Sequence, residues 1–242
     1  KVIYLNCDDP DWSSFWLYFS YNFDFFGLKK LVATHYEDDG SSSYVLMLEE
    51  QYNVNQPNII KKPLKGNGDF RSDECVELLK EADVVVTNPP FSLFREYIAQ
   101  LIEHDKKFII IGNQNAFTYK EIFPLLKENK LWIGATNNGQ DMVFEVPEGA
   151  IVAPKDKEKA EKLGYKGNYT RLGNACWFTN IDHGRRHQPL SLMTMADNLK
   201  YSKHKQIREQ GYLKYDNYDA IEVPFVDAIP SDYVEDMGVP IT

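Results

Sequence analysis

Apolar and polar positions along the chain follow two rhythms. Short apolar runs, VIYLN (2–6), KKLVATHY (29–36), DVVVTN (83–88), KFIIIGN (107–113) and LWIGAT (131–136), read as buried strands. Between them lie segments of helical period. WSSFWLYFSYNFDFFG (12–27) carries aromatics on one face and stops at Gly27, and SDECVELLKEA (72–82) opens on a Ser N-cap with a Glu two residues on. SLFREYIAQLIEHD (92–105), with Ser92 as N-cap, and YKEIFPLLKEN (119–129) complete the set. Strands alternating with helices predict an α/β fold built on a doubly wound, mostly parallel sheet. YVLMLEE (44–50) and NIIKKPL (58–64) predict a hairpin or a loop insertion, and after about residue 140 the pattern changes to short strands and polar loops, with MVFEV and ACWFTNI as antiparallel pieces. The expected organisation is a first part over 1–140 and a second over 141–242 that completes the sheet and adds a separate region.

Composition narrows the class. With 43% hydrophobic and 14% aromatic residues, the chain has material for a sizeable core. No apolar run approaches the roughly 20 residues of a membrane span, and the opening KVIYLNCDDP reads as a strand rather than a signal peptide. Cys7, Cys75 and Cys176 are scattered and form no CxxC pair, so neither zinc nor a disulfide framework is expected, and a reducing cytoplasm is the default. The chain opens inside an apparent strand and closes on GVPIT with no stop signal, so an excerpt of a longer chain is expected.

Charge adds a further distinction. The net charge is −9, yet residues 155–214 hold 13 Lys and Arg against 6 Asp and Glu. An acidic protein with one basic region suggests a surface for a polyanion. Within it, KDKEKAEKLGYK (155–166) reads better as a solvated helix face.

The candidate chemistry sits in VVVTNPPFSLF (84–94). Two prolines do not fit a strand interior, so the strand ends in a rigid corner just before a helix, where open α/β sheets bind ligands. One reading is a turn whose prolines cap a strand. The other is a site for an exocyclic amino group on a planar ring, whose lone pair is delocalised and poorly nucleophilic. Two acceptors aimed at its hydrogens draw the nitrogen toward sp³ geometry. Asn88 supplies a side-chain carbonyl, Pro89 a backbone carbonyl whose direction the ring-locked φ fixes, and Phe91 a stacking face. The protein's work is then positioning and electrostatics.

Asn88-Pro89-Pro90-Phe91 resembles the (D/N/S)-P-P-(F/Y/W) motif of amino-group methyltransferases that use S-adenosylmethionine. The wider segments YLNCDDP (4–10), GDFRSDECVELLKEADVVVTNPPFSLFREY (68–97), KKFIIIGNQNAFTYKEIFPLLKENKLWIG (106–134), WFTN (177–180) and MGVPIT (237–242) resemble the EcoRI-type adenine-specific DNA methyltransferases. The resemblance covers nearly the whole chain. It implies a Rossmann-like fold, S-adenosyl-L-methionine as cofactor bound by the catalytic part over 1–140, duplex DNA as partner with the target adenine flipped out and its sequence read by the target-recognition region within 141–242, and restriction-modification as one setting, with a cognate endonuclease as a further partner.

The resemblance also implies roles. Asn6, Cys7, Asp8, Asp9 and Pro10 would carry the methionine end of the cofactor; the usual glycine-rich turn is absent, and Ser13 and Ser14 stand where its glycines would be. The acidic pair Asp8–Asp9 suits an ammonium, or is a solvated Asx-turn. The acid on the cofactor ribose is not fixed by Thr34-His35-Tyr36 and the following Glu37 and Asp38. Asp69 and Phe70 would hold the cofactor adenine, unless Asp69 is a turn residue. Asn113, Gln114 and Asn115 line the target-base pocket or only satisfy loop backbone. Arg185, Arg186, Lys200, Lys203, Lys205 and Arg208 would track phosphates, the last four at helical spacing, or form an ordinary wet face. His183 and His187 are spaced i, i+4, but Gly184 and Pro189 argue against a helix there, and no metal is expected. RNA, cytosine N4 or a protein glutamine fit the same chemistry, and a binding module without catalysis is the rival of a different class.

Overall fold

The computed structural model describes residues 1–11, 13–38, 42–50, 58–135, 142–146, 149, 151–188, 192–216 and 220–233. Trp12 and Thr136, at the ends of an expected helix and strand, and the MGVPIT segment lie outside them. The chain gathers into two compact units, residues 1–186 and 187–242.

The first unit is organised by an eight-stranded sheet. In chain order its strands are β1 (Val2–Leu5), β2 (Lys30–His35), β3 (Tyr44–Glu49), β4 (Asn58–Pro63), β5 (Val84–Thr87), β6 (Lys107–Asn113), β7 (Trp132–Ile133) and β10 (Ala175–Thr179); β8 (Met142–Glu145) and β9 (Tyr169–Leu172) form a separate antiparallel pair. The spatial order is β4-β3-β2-β1-β5-β6-β10-β7. The four central strands β2, β1, β5 and β6 are parallel. The β3–β4 hairpin closes one flank antiparallel, and β10 and β7 the other. The hairpin alternative for 44–64 is the one adopted, and ACWFTNI supplies the strand that returns to the sheet from beyond residue 140.

The alternation of side chains across a strand divides the core in two. Tyr4 and Val85 face α2 (Asp73–Glu81) and α3 (Phe94–Glu103), packing with Leu79, Phe94, Tyr97, Ile98 and Leu101. Ile3, Leu5 and Val86 face the opposite way, toward Trp16 of α1 (Ser14–Tyr21), with Phe23, Leu28 and Leu31. Three consecutive β-branched residues in β5 serve both faces at once, as a central strand requires.

Local chemistry sets the element ends. Ser72 caps α2 as expected, its hydroxyl accepting from the Cys75 amide, with Asp73 and Glu74 in the first turn and Lys80 in the last. Other boundaries differ from the sequence reading. The helix expected over 12–27 ends at Tyr21, because the Asn22 side chain bonds back to the Tyr18 carbonyl at 2.8 Å and the chain then turns. Ser92 does not cap a helix. Residues 91–93 form a single 3₁₀ turn in which Leu93 donates to the Pro90 carbonyl, so α3 starts at Phe94 with no side-chain cap. The helix expected over 119–129 shrinks to α4 (Phe123–Lys127), with Pro124 in its first turn. The strand expected over 131–136 is the two residues of β7, antiparallel at the sheet edge. α5 (Pro154–Lys162) buries only Ala160, which agrees with a solvated helix over 155–166.

In the second unit, α6 (Met195–Tyr201) is capped by Thr194, and α7 (Lys205–Gln210) ends at Gly211. Ser202–His204 separates them, so Lys200, Lys203, Lys205 and Arg208 do not share one helix face.

Close packing of α3 on β6 depends on Gly112. A Cβ there would lie 2.4 Å from the Phe94 ring and 2.8 Å from that of Phe178. Gly112→Ala is expected to lower the unfolding free energy by about 1–3 kcal/mol, the cost of overpacking a filled core, measured by urea denaturation. An unchanged midpoint would show that the rings yield at no cost.

Candidate active site

Parallel pairing of β1 with β5 (Ile3 opposite Val84, Tyr4 opposite Val85) puts their carboxyl ends side by side. A cavity of about 380 Å³ opens there, within the size range of small-molecule sites. Asn6, Cys7 and Asp9 line it from the end of β1, Thr34 and Tyr36 from the end of β2, Gly68 to Arg71 from the turn before α2, and Pro90 and Leu93 from the corner after β5. Five expected cofactor residues, Asn6, Cys7, Asp9, Asp69 and Phe70, therefore come together at one wall-to-wall site with Pro90 of the motif. Asp8 and Pro10 are not among its lining residues.

Asn6 is 2% exposed. Its Oδ1 accepts a short hydrogen bond from the Tyr97 hydroxyl, while its Nδ2 has no partner. A buried amide nitrogen without an acceptor is costly, and here it belongs to a residue of the cavity wall. Tyr97 also meets Phe70 edge to face at 5.0 Å, and the neighbouring Gln100 donates to the Phe70 carbonyl. One helix thus braces two walls. Gly68 has φ +81°, and a Cβ on it would lie 2.4 Å from the His35 carbonyl oxygen, so only glycine lets this turn approach the end of β2. Asp69 is half-buried and gripped by Arg71: Nη2 at 2.6 Å, Nε at 2.9 Å and the backbone amide at 2.8 Å. These contacts hold its carboxyl below the ordinary carboxylate value.

Asp8 turns away to the corner. Its Oδ2 accepts from the Thr87 hydroxyl at 2.7 Å and from the Asn88 amide at 3.1 Å, and Thr87 in turn accepts from the Cys7 amide at 3.1 Å. Burial pushes the Asp8 carboxyl up to about 6, with the Thr87 and Asn88 bonds pulling the other way. Burial also raises the Cys7 thiol, which stays protonated. Asp9 sits 3.1 Å from Nδ1 of His35, whose Nε2 lies 3.3 Å from Glu37. Tyr36 donates to Asp38 at 2.6 Å. Ser13 is not a glycine substitute but the N-cap of α1, accepting from Phe15 and Trp16. In the motif itself Asn88 and Pro90 are exposed, Pro89 is buried and Phe91 is half-buried.

The other expected residues have local partners. Asn113 caps the turn after β6, accepting from the Asn115 amide at 2.9 Å, and Gln114 donates its amide to the Asn174 carbonyl at 2.5 Å. The Arg186 guanidinium lies 3.9 Å over the Trp132 ring and bonds Asn129 and Asp182. Arg185 bonds the Ala135 carbonyl at 2.6 Å. Lys203 pairs with Asp227, Lys205 lies 3.7 Å from Glu209, Arg208 bonds the Ser202 carbonyl, and Lys200 lies over the Tyr201 ring. The lysines keep most of their side chains in solvent. His183 bonds the Ile133 carbonyl. Sequence reasoning missed Thr87, Arg71, Leu93 and Tyr97. The helical period marks Tyr97 as core, and nothing in the sequence couples Thr87 to a residue eighty positions away.

A sheet parallel through its four central strands with helices on both faces, a cavity at the strand ends and an Asn-Pro-Pro-Phe corner in its wall fit a Rossmann-like methyltransferase. The whole chain, residues 1–242, matches the family described as adenine-specific methyltransferase EcoRI. The type II methyltransferase M.EcoRI of Escherichia coli is 45% identical over 254 residues, covering 100% of this chain and 74% of that protein. The type II methyltransferase M.MpnI of Mycoplasma pneumoniae is 40% identical over 100% of this chain and 70% of that protein, and M.MgeORF184P of Mycoplasma genitalium is 39% identical over 100% and 71%. No solved structure matches the chain. The chain belongs to the EcoRI family of adenine-specific methyltransferases.

Tyr97→Phe removes the hydroxyl donor to Asn6 Oδ1 and leaves that oxygen the weak Cys7 thiol donor at 3.8 Å. It is expected to lower the unfolding free energy by about 1–3 kcal/mol, the cost of a poorly satisfied buried acceptor. Denaturant melts that superimpose on the wild type would show that the thiol suffices.

Proposed function

We propose that this protein methylates N6 of adenine in duplex DNA, with S-adenosyl-L-methionine as donor and the target base flipped out of the stack. The observation that carries this reading is the shared wall: Pro90 and Leu93 of the corner line the same cavity as Asn6, Asp9 and Asp69. The cavity residues fit the donor. Asn6 offers a buried, unpartnered amide N–H to a carboxylate, Asp9 an anion to an ammonium, and Asp69 beside Phe70 an acceptor and an apolar ring to an adenine. When bound, the cofactor supplies an electrophilic methyl group on sulfur.

The chain's own residues do the rest. Asn88, exposed at the lip of the corner, accepts from the target amino group through its side-chain carbonyl, and the Pro89 carbonyl is the second acceptor. Together they localise the nitrogen lone pair toward the cavity. Phe91 stacks on the base. No strong base is needed beforehand, because the nitrogen's proton becomes acidic only after methyl transfer. Asn113, Gln114 and Asn115 border the base from the end of β6. Phosphate contacts fall to the exposed Lys200, Lys203, Lys205 and Arg208 and, taken by itself, to the exposed Arg185. Arg186, stacked on Trp132 and bonded to Asn129 and Asp182, has less of its guanidinium to offer a phosphate. A cognate restriction endonuclease is the partner suggested by the type II names of the relatives. Cys7, Cys75 and Cys176 are free, and among the described residues no helix is long and apolar enough to cross a membrane; the DNA substrate and the free thiols suit a cytoplasmic setting.

The test is incubation with S-adenosylmethionine and mixed-sequence duplex DNA, followed by digestion and mass spectrometry of the nucleosides. N6-methyladenine is the expected product. N4-methylcytosine would change the base, and no methylated nucleoside would turn attention to RNA, a protein amide or a binding module. Asn88→Ala is expected to cut turnover about 10²–10³-fold with cofactor affinity little changed; a collapse of cofactor binding would misplace Asn88. Asp69→Ala is expected to raise the cofactor dissociation constant about tenfold to a hundredfold, the worth of a hydrogen bond to a charged group. An unchanged constant by calorimetry would leave Asp69 as the partner of Arg71 alone.

A further inference from the structure

We propose that Asp8 is a positioning residue for the catalytic corner, its carboxylate fixing Asn88 against the cofactor turn and thereby setting turnover rather than cofactor affinity. The inference rests on the functional reading above.

The argument begins with the donors the corner owns. β5 leaves its ladder after Thr87, opposite Ile110. Of the next four residues, Pro89 and Pro90 have no N–H. Asn88 therefore carries the only backbone donor at the start of the corner, and it gives that donor to Asp8 Oδ2 at 3.1 Å. The same oxygen takes the hydroxyl of Thr87, a fully buried side chain, at 2.7 Å. The Thr87 oxygen takes the Cys7 amide at 3.1 Å. Three hydrogen bonds thus close a ring between residues 7–8 and 87–88, across the boundary of two parallel strands. Cys7 and Asp9, on either side of Asp8, line the cofactor cavity, and Asp8 does not. The turn that holds the donor and the corner that holds the acceptor of the methyl group are joined through this one carboxylate.

Ionisation matters to the joint. A carboxylate is acceptor-only and serves two donors on one oxygen without conflict, whereas a protonated carboxyl must place a hydrogen of its own. The titratable groups that feel Asp8 are Cys7 beside it and Tyr97 from α3, both raised chiefly by burial and neutral at working pH. Asp9 faces His35 instead. β5 contributes only Thr87 and Asn88. With the Asp8 carboxyl pushed up to about 6, turnover falls as pH drops through that value, because protonation removes the charged acceptor.

Two readouts test this on the complete protein. Amide hydrogen exchange at Asn88 needs no activity: Asp8→Ala is expected to speed it at least about tenfold, the loss of one hydrogen bond to a charged acceptor, Asp8→Asn to speed it less, and the wild-type Asn88 amide shift to titrate near pH 6. In methylation assays Asp8→Ala is expected to lower kcat about tenfold to a hundredfold with the cofactor dissociation constant nearly unchanged. Asp8→Asn, which keeps one carbonyl acceptor and folds around the same shape, should recover part of kcat and lose the acid limb. Thr87→Val, which keeps Asp8, should lower kcat less. Unaltered exchange at Asn88 overturns the anchor. A cofactor constant that rises while kcat holds makes Asp8 a cofactor ligand and overturns the positioning role, and an acid limb that persists in Asp8→Asn overturns the role of ionisation. A wild type that methylates no nucleoside defeats the functional reading, while the exchange result still decides Asp8.

Discussion

Everything at the site depends on the parallel register of β1 and β5. These strands lie about eighty residues apart in the chain, and pairing Ile3 with Val84 sets the turn Asn6–Asp9 beside the corner Asn88–Phe91. The register is held by the core on both faces. Tyr4 and Val85 share one cluster, and Ile3, Leu5 and Val86 share the other. A slip of one residue would exchange the two sets and drive each into the wrong layer. The polar groups at the strand ends inherit that precision. They need no long-range encoding of their own, since two apolar faces have already placed them.

The site is polar where the sheet ends, and the structure meets the cost unevenly. Asn6 satisfies its carbonyl through Tyr97 and leaves its amide nitrogen open. Asp8 is half-buried, its carboxyl raised to about 6 by desolvation against two donors that favour its charge. Asp69 is the opposite case, a carboxylate held charged by a neighbouring guanidinium. Cys7 lies among them as a thiol that burial keeps protonated. Such variety suits the proposed cofactor, a sulfonium amino acid joined to a nucleoside, which presents an ammonium, a carboxylate and a neutral ring together. α3 serves as the common brace: its Phe94 requires Gly112 beneath it, and its Tyr97 touches both Asn6 and Phe70.

Much of this was legible in the residues. The apolar runs gave each central strand, because a strand buried on both faces needs continuous β-branched or aliphatic residues. Ser72 gave the start of α2, because a cap is a local bond. Asn88-Pro89-Pro90-Phe91 gave the corner at the end of β5, and Asp69-Phe70 gave one wall of the cavity. Where competing local bonds existed, the reading failed: Asn22 ended a helix before Gly27, and the Pro90 carbonyl displaced the Ser92 cap. The basic residues after 180 show the same limit. Charge is visible in a sequence, but whether a guanidinium faces solvent or lies on Trp132 is not.

The sequence by itself determined the strands, their alternation with helices and the proline corner after β5, since these follow from side-chain period, branching and proline geometry over a few residues. Only the tertiary structure decided that β10 and β7 run antiparallel at the far edge, that Gly68 passes against His35, and that Asp8 serves Thr87 and Asn88 while Asp9 faces the cavity. Two adjacent aspartates are alike in one dimension. What separates them is the direction of successive side chains on a turn and the strand that the fold brings alongside, which is a property of packing over distances the local sequence does not carry.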